Sequence, residues 1–326
     1  ILIPVSFLFL IFFEYLNNNN YKKFLKTFFI FYSLFILFSY LHWPYLWTLN
    51  FENWLSFFNP FFQAMNPIVF FDGEFYQSKY LPLSYIPYLI LITTPIFILC
   101  LFLSGIYLSF KRFFQRFLNI KEINISNFGL WKTNKEKFDT ILNINFLLII
   151  LLYVSINLAL LSGWRHFYFL NFFIIYYACF SMNVLFLKIN KRKKIQSFLK
   201  SILIVLLLIQ ISSIYKYHPF QSSYFNNLVS NQKKLNFEVD TQSLSRVHAI
   251  KEIIKLKNNS VINIGTASWT PLEDARSLIP KKHWDKLNFV GTNYNNADFI
   301  YSNHYYEINY NFNKKYQIPK NFSLYK

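Results

Sequence analysis

An arginine and a histidine lie side by side at Arg165 and His166, in the stretch LSGWRHFYFL between two long apolar runs. A charged side chain next to apolar, membrane-like segments is costly unless it is paired, hydrated or bound to an anion. Arginine offers a planar set of donors that fits phosphate oxygens. The pair is therefore a candidate binding site for a lipid-linked phosphate. The alternative is that Arg165 only extends to the membrane interface, with His166 packed beside it.

A second candidate site lies in the stretch FFDGEFYQSKYLPLSY, where Asp72 and Glu74 flank a glycine and precede Lys79, Tyr80 and Tyr85. Carboxylates beside aromatic residues could hydrogen-bond sugar hydroxyls, bind a divalent cation or act as a base. We interpret this group as a candidate acceptor site. The alternative is that the two carboxylates are ordinary solvated charges around a turn.

A third group, in YHPFQSSYFN, contains His218, Gln221 and Tyr224, whose polar ends suit the headgroup region of a membrane. They could form an interfacial collar or a structural anchor. The stretch NIGTASW at 263–269 lacks both common glycine-rich phosphate-binding patterns, so we expect a simple turn after a strand there. The histidines show no zinc-ligand spacing, and we predict no metal site among them.

The composition indicates a membrane protein. The 326 residues are 54% hydrophobic and carry a net charge of +18. A nucleic-acid-binding protein would gather its Lys and Arg on one soluble surface, whereas about half of them here separate apolar segments. Nucleic acid is therefore excluded as a partner. Cys100 and Cys179 lie inside apolar runs, where a disulfide or a metal site is not expected.

Six apolar stretches have about the length needed to cross a bilayer, at residues 1–16, 24–42, 84–110, 142–162, 167–187 and 199–215. The chain starts within the first, and we expect that an upstream part is missing. Residues 17–26, 111–140 and 188–200 contain sixteen Lys and Arg, against two in the other short connections. The positive-inside rule makes the three basic segments cytoplasmic. The loop at 43–83, the turn with Arg165 and the C-terminal region then face outward.

Two further regions have their own character. The loop at 43–83 contains Trp43, Trp47 and Trp54, a composition that favours a helix along the membrane interface. After residue 216 the spacing of apolar residues predicts a helix over SLSRVHAIKEIIKLK, strands at SVINIG and ADFIYSN, and a helix at LEDARSLI between them. We predict a membrane domain at 1–216, mainly α, and a small extracytoplasmic α/β domain at 217–326.

The order of the motifs FDGEFYQSKYLPLSYIPY, SGWRHFYFL, YHPFQSSYFN, NFEVDTQSLS and ADFIYSN resembles the C-terminal half of family 39 type membrane glycosyltransferases, over residues 40–305. These relatives of protein O-mannosyltransferases and aminoarabinose lipid A transferases have the GT-C fold. The resemblance implies an enzyme of the bacterial inner membrane that moves a sugar from a polyprenyl-phosphate carrier to an envelope lipid, glycan or protein. It also implies a catalytic acidic residue upstream of Ile1, and a role for Arg165 and His166 in binding the carrier phosphate.

Two other classes remain open. A transporter or flippase for a lipid-linked sugar would have similar helices and the same anion site, although no inverted repeat is visible in the sequence. The C-terminal region could instead be a binding module for a glycan or a protein, with the helices as its anchor. Six spans exceed what an anchor needs. The sequence predicts no cofactor with certainty, and a divalent cation at Asp72 and Glu74 is the one metal that the acceptor-site hypothesis allows.

Overall fold

A computed structural model describes two compact units of the chain. The described residues are 6, 8, 9, 11, 12, 15, 21–42, 44–47, 68–118, 134–155, 160, 163–234, 236–238, 240, 243–256, 261–268, 270 and 272–303. Unit 1 takes the described residues of Ile1–Met65, Ile98–Leu158 and Phe169–Lys191, and unit 2 those of Asn66–Phe97, Ala159–Tyr168 and Arg192–Lys326. Unit 2 therefore combines residues from both sides of the predicted boundary at residue 216.

The described helices and strands follow one another along the chain as expected for a mainly α protein with a small α/β part. The helices are α1 Tyr21–His42, α2 Tyr85–Thr93, α3 Ile96–Leu118, α4 Asn134–Ser155, α5 Leu170–Lys188, α6 Lys193–Lys216, α7 Asn231–Lys234 and α8 Ser245–Leu256. The strands are β1 Ile68–Phe71, β2 Glu74–Gln77, β3 Ile262–Thr266, β4 Leu287–Gly291 and β5 Phe299–Tyr301.

Five of the described helices are long and apolar enough to cross a membrane: Tyr21–His42, Ile96–Gln115, Lys135–Ser155, Leu170–Lys188 and Lys193–Lys216. They match five of the six predicted spans, which supports a multi-pass membrane protein. The stretch at 1–16 lies mostly outside the described residues. The predicted span at 84–110 is divided by a break in the helix at Thr94 and Pro95, so its membrane-length helix begins at Ile96.

The break at Pro95 leaves backbone carbonyls at the end of α2 without their usual partners. Proline has no backbone N–H, so Leu91 cannot receive the helical hydrogen bond from residue 95. The Asn226 side chain replaces it, because its Nδ2 donates to the carbonyls of Leu91 (2.6 Å) and Thr94 (2.7 Å). The Asn226 backbone N–H donates to Ile92 (2.8 Å). Asn226 is 2% exposed and thus anchors its own segment to the end of α2.

Unit 1 packs α3, α4 and α5 through small and polar residues. Gly105 lies so close to α5 that a Cβ on it would meet the Tyr177 carbonyl oxygen at 1.9 Å. Tyr177 is fully buried, and its hydroxyl donates to Asn143 Oδ1 (2.8 Å), which also accepts from Ser109 (3.0 Å). Close backbone approach and buried hydrogen bonds are the usual means by which membrane helices associate.

The composition of the loop at 43–83 favours an interfacial helix, but the last part of this loop forms strands. Its last part forms the antiparallel hairpin β1–β2, which pairs Phe71 with Glu74 across a two-residue loop. Asp72 and Gly73 both have positive φ, at 52° and 86°, as a tight Asp-Gly hairpin turn requires. Trp47 ends a short helical turn and is 55% exposed. Trp43 and Trp54 lie outside the described residues.

The C-terminal α/β prediction is confirmed. The strands form a parallel sheet in the order β4–β3–β5, in which β4 was not predicted, and LEDARSLI forms a short 3₁₀ helix. α8 covers the sheet with Ile250 and Ile253, whereas Leu256 at its end is 61% exposed. Asp240 accepts hydrogen bonds from the backbone N–H groups of Leu244 (3.0 Å) and Ser245 (2.7 Å), and so satisfies donors at the start of α8.

We expect Asn226→Ala to destabilise the protein, because it leaves the Leu91 and Thr94 carbonyls buried without donors. An unsatisfied buried polar group costs about 1–3 kcal/mol. The neighbouring exposed Asn227→Ala is the matched control and should leave the melting temperature in detergent unchanged. Equal melting temperatures for the two variants would show that Asn226 does not anchor α2.

Candidate functional site

The turn that holds Arg165 and His166 is a short 3₁₀ helix over Arg165–Phe167 in unit 2. Gly163 precedes it with φ at 68°, a conformation that residues with a Cβ adopt at a cost. Phe167 is 6% exposed and fixes the turn to the unit, whereas Arg165 and His166 are exposed. The sequence thus places one buried aromatic residue directly after two solvent-accessible cation-capable residues.

The structure brings this turn next to the second predicted group. The Tyr85 hydroxyl, at the start of α2, donates to the Gly163 carbonyl (3.2 Å), and the Leu160 N–H donates to the Ser78 carbonyl (3.4 Å). Lys79 and Tyr80 belong to the short 3₁₀ helix Ser78–Tyr80, in which Tyr80 is 70% exposed. Two regions about 80 residues apart in the sequence therefore meet in unit 2.

The positive charge of the turn comes from Arg165. Its guanidinium makes no hydrogen bond or ion pair with any residue that the structure describes. Partial burial of the ring and then the nearby Arg165 charge lower the pKa of His166 below its ordinary value. The imidazole is therefore neutral at pH 7 and offers one N–H donor beside an exposed guanidinium. Such an arrangement suits an anion with several oxygen atoms.

Asp72 and Glu74 each interact with a different neighbour. Asp72 lies 3.6 Å from the Lys233 ammonium, and Glu74 accepts a 2.6 Å hydrogen bond from the Tyr76 hydroxyl. That hydrogen bond, followed by burial, raises the pKa of Tyr76. No hydrogen bond or ion pair joins either carboxylate to Arg165 within the described residues. The same part of the chain holds no cluster of three metal-ligating side chains.

The third group is brought together as a local cluster. Gln221 Nε2 lies 3.0 Å from His218 Nδ1, and the rings of Tyr217 and Tyr224 meet edge to face at 5.5 Å. The segment continues to Asn226, which anchors it to α2. The Asn226 contact attaches the segment that contains this cluster to the end of α2. The proposed collar over a membrane cavity stays a prediction.

Glu238 is a buried carboxyl that the sequence analysis missed. Its Oε1 accepts from the Phe70 N–H of β1 (3.2 Å), while Oε2 is buried and has no hydrogen-bond partner among the described residues. Burial raises the pKa of Glu238 to about 8, and the Phe70 N–H opposes that rise. A glutamate between apolar residues in NFEVD was the available signal. Only the position of β1 shows that it is enclosed.

Glu238 makes unit 2 sensitive to pH. The folded protein keeps a proton that the unfolded chain releases above its ordinary pKa of 4.5. The stability that this proton contributes is fully present below that value, and it is lost as pH rises through about 8. We expect Glu238→Gln to flatten the fall in melting temperature between about pH 4.5 and about pH 8, the interval between the two pKa values.

The matched control for this prediction is Glu252→Gln on the exposed face of α8, where the carboxylate pairs with Lys255. Its pH profile should follow that of the wild type. If the Glu238→Gln profile also runs parallel to the wild type, then the Glu238 carboxyl is ionised in the folded protein at pH 7.

Comparisons with known proteins identify no relative of this chain. No protein-family description matches the chain, and neither a curated protein nor a solved structure is significantly similar to it. The resemblance to family 39 type glycosyltransferases therefore stays a prediction from the motifs. The candidate site is defined by the geometry around Arg165, Tyr85 and Gly163.

Proposed function

We propose that the protein is a membrane glycosyltransferase that moves a sugar from a polyprenyl-phosphate carrier to an acceptor in the cell envelope. The observation that carries this proposal is the exposed Arg165 guanidinium, which has no anionic partner among the described residues and lies on a turn that Tyr85 holds. An exposed guanidinium on a turn next to an apolar helix can bind the phosphate of a lipid carrier through its planar set of donors. The GT-C fold is part of the proposal, and five membrane-length helices are compatible with it.

In this mechanism an acceptor hydroxyl oxygen attacks the anomeric carbon of the donor sugar. The bond from that carbon to the phosphate oxygen breaks, and its electron pair stays on the phosphate, so the anomeric configuration is inverted. The hydroxyl proton passes to a carboxylate that acts as general base, the catalytic acidic residue that the resemblance implies. Arg165 stabilises the charge that grows on the departing phosphate, and neutral His166 donates a hydrogen bond to it.

The acceptor side of the site is proposed at the residues that lie near the same turn. Lys79 and Tyr80 immediately follow β2, and Tyr85 contacts Gly163 directly. Asp72 and Glu74, at the exposed hairpin, would accept hydrogen bonds from acceptor hydroxyls through the oxygen atoms that Lys233 and Tyr76 leave available. The arrangement favours this role over binding of a divalent cation, because Asp72 already pairs with Lys233 and Glu74 accepts from Tyr76.

The proposed location is the bacterial inner membrane, with the turn and the α/β region on the outer side. The concentration of Lys and Arg in residues 17–26, 111–140 and 188–200 supports this orientation. Carrier-linked sugars are presented to GT-C enzymes on the outer face, so the orientation and the proposed reaction agree.

We expect Arg165→Gln in the full-length protein to lower kcat by about 10²–10³, the usual effect of removing one donor to a developing oxyanion. The assay uses purified protein in detergent, a radiolabelled polyprenyl-phosphate sugar and an envelope acceptor fraction. Arg192→Gln, an exposed arginine at the start of α6, is the matched control and should keep normal activity.

The same assay separates the transferase from the flippase. Label that moves from the carrier to the acceptor shows transfer, whereas a flippase leaves the carrier intact. A wild-type protein that is folded, yet leaves several labelled carriers unchanged, contradicts the proposal. Normal transfer by Arg165→Gln contradicts the role of Arg165 but not the reaction itself.

The carboxylates at the hairpin are tested by Asp72→Asn and Glu74→Gln. Because both would bind the acceptor and not the leaving phosphate, we expect a rise of about 5–10-fold in KM for the acceptor with little change in KM for the carrier. Asp285→Asn, an exposed carboxylate of the α/β region, is the control. Unchanged acceptor kinetics in both hairpin variants would identify them as solvated turn residues.

A further inference from the structure

Unit 1 contains a charged pair inside the segments that can span a membrane. Arg112 of α3 pairs with Asp139 of α4, and the Tyr176 hydroxyl of α5 donates to the second oxygen of the same carboxylate. The Asp139 side chain is 14% exposed and that of Arg112 is 36% exposed. Both Asp139 oxygens are therefore occupied, and the pair joins three helices. An ionisable pair within such segments is by default a candidate functional site.

The pair does not use all the donors of Arg112. The guanidinium stacks over the Phe180 ring at 4.8 Å and donates to Asp139 through Nη2. Its Nε and Nη1 groups make no hydrogen bond with any residue that the structure describes. Arg112 is one of the residues that line a small pocket between α3 and α4. Asp139 therefore holds the guanidinium in place, while the Nε and Nη1 groups of Arg112 remain available as donors.

A second donor lines the same pocket. Asn143 is 1% exposed, and its Oδ1 accepts hydrogen bonds from both the Ser109 and Tyr177 hydroxyls. These two bonds fix the amide so that its Nδ2 group remains a donor with no partner in the described part of the chain. The pocket therefore presents a guanidinium and an amide N–H group, both of which select oxygen atoms of an anion.

The charges around the pocket favour an anion. Lys111 lies next to Arg112 on α3, and Lys135 and Lys137 lie in the first turn of α4. Lys137 also lies 4.5 Å from the Phe24 ring, which places the basic start of α1 at this end of unit 1. The lining itself carries the cation of Arg112 and the carboxylates of Asp139 and Glu136, so binding of an anion also depends on the nearby cations Lys111, Lys135 and Lys137 of the same two helices.

We propose that this pocket binds a phosphate oxygen of an anionic phospholipid at the basic end of unit 1, with Arg112 and Asn143 as donors and Asp139 as a positioning residue. The pocket is too small for a whole headgroup, which would extend over Lys111 and Lys137. The positive-inside rule predicts this end to be cytoplasmic, where anionic lipids attract basic segments. The site is independent of the proposed transferase reaction.

The test uses native mass spectrometry of the full-length protein in detergent with phosphatidylglycerol or phosphatidylcholine. The wild type should retain phosphatidylglycerol preferentially. The double variant Arg112→Gln/Asp139→Asn removes the pair together and so leaves no unpaired buried charge. We expect it to bind phosphatidylglycerol about tenfold more weakly, because it loses the charge-assisted hydrogen bond from Arg112 to the phosphate oxygen while the net charge stays the same.

Three further variants keep the outcome interpretable. Arg112→Lys preserves a cation and should keep measurable preference, and Lys111→Gln should weaken retention without disturbing the pair. Lys255→Gln, an exposed cation on α8, is the matched control and should retain phosphatidylglycerol like the wild type. If Lys111→Gln and the double variant both retain the lipid at wild-type levels, the proposal is wrong, as it is if the wild type shows no preference.

Inorganic phosphate separates the two sources of the same chemistry. If phosphate alone raises the melting temperature of the wild type but not of the double variant, and displaces phosphatidylglycerol, then free phosphate is a ligand of the pocket. If phosphatidylglycerol raises the melting temperature of the wild type and inorganic phosphate does not, the ligand is the lipid headgroup. If neither raises it, and lipid retention is equal in all variants, the pocket binds no phosphate.

Discussion

The requirement that every buried backbone carbonyl finds a donor is the constraint on which unit 2 depends. Pro95 ends α2 and removes a helical hydrogen bond, and Asn226 supplies the missing donor from a distant part of the chain. That contact fixes the end of α2, whose first residue, Tyr85, holds the turn of Gly163 and Arg165. A backbone defect at one end of a short helix is thus connected to the candidate phosphate site at the other.

The same rule separates structural polar residues from functional ones. Asp240 has its donors at the start of α8, and Asn226 has all its polar groups bonded, so both stabilise the fold. Arg165 and Arg112 differ, because donors on each guanidinium stay available after every contact with described residues is made. A cation of this kind beside apolar segments is a candidate binding site for an anion. The proposed sites at Arg165 and Arg112 both rest on that difference.

The sequence identified the site regions better than it identified the contacts. The order of apolar and basic segments predicted the membrane helices, and the glycine between Asp72 and Glu74 indicated the turn at residue 73. Periodicity predicted α8, β3 and β5. It did not predict β1 and β2, because aromatic residues near a membrane favour an interfacial helix and a strand equally well. It also passed over Pro95, since the apolar run continues on both sides of the break.

What the sequence by itself determined is the membrane character, the number and approximate limits of most spans, and which residue types lie between them. These follow from local composition, because a bilayer imposes a length and an apolarity on each crossing segment. The tertiary structure decided which polar groups are satisfied. Tyr85 meets Gly163, Asp139 meets Arg112 and Tyr176, and Glu238 is enclosed next to β1. Burial and pairing depend on segments that are far apart in the chain, and local composition carries no information about their distance.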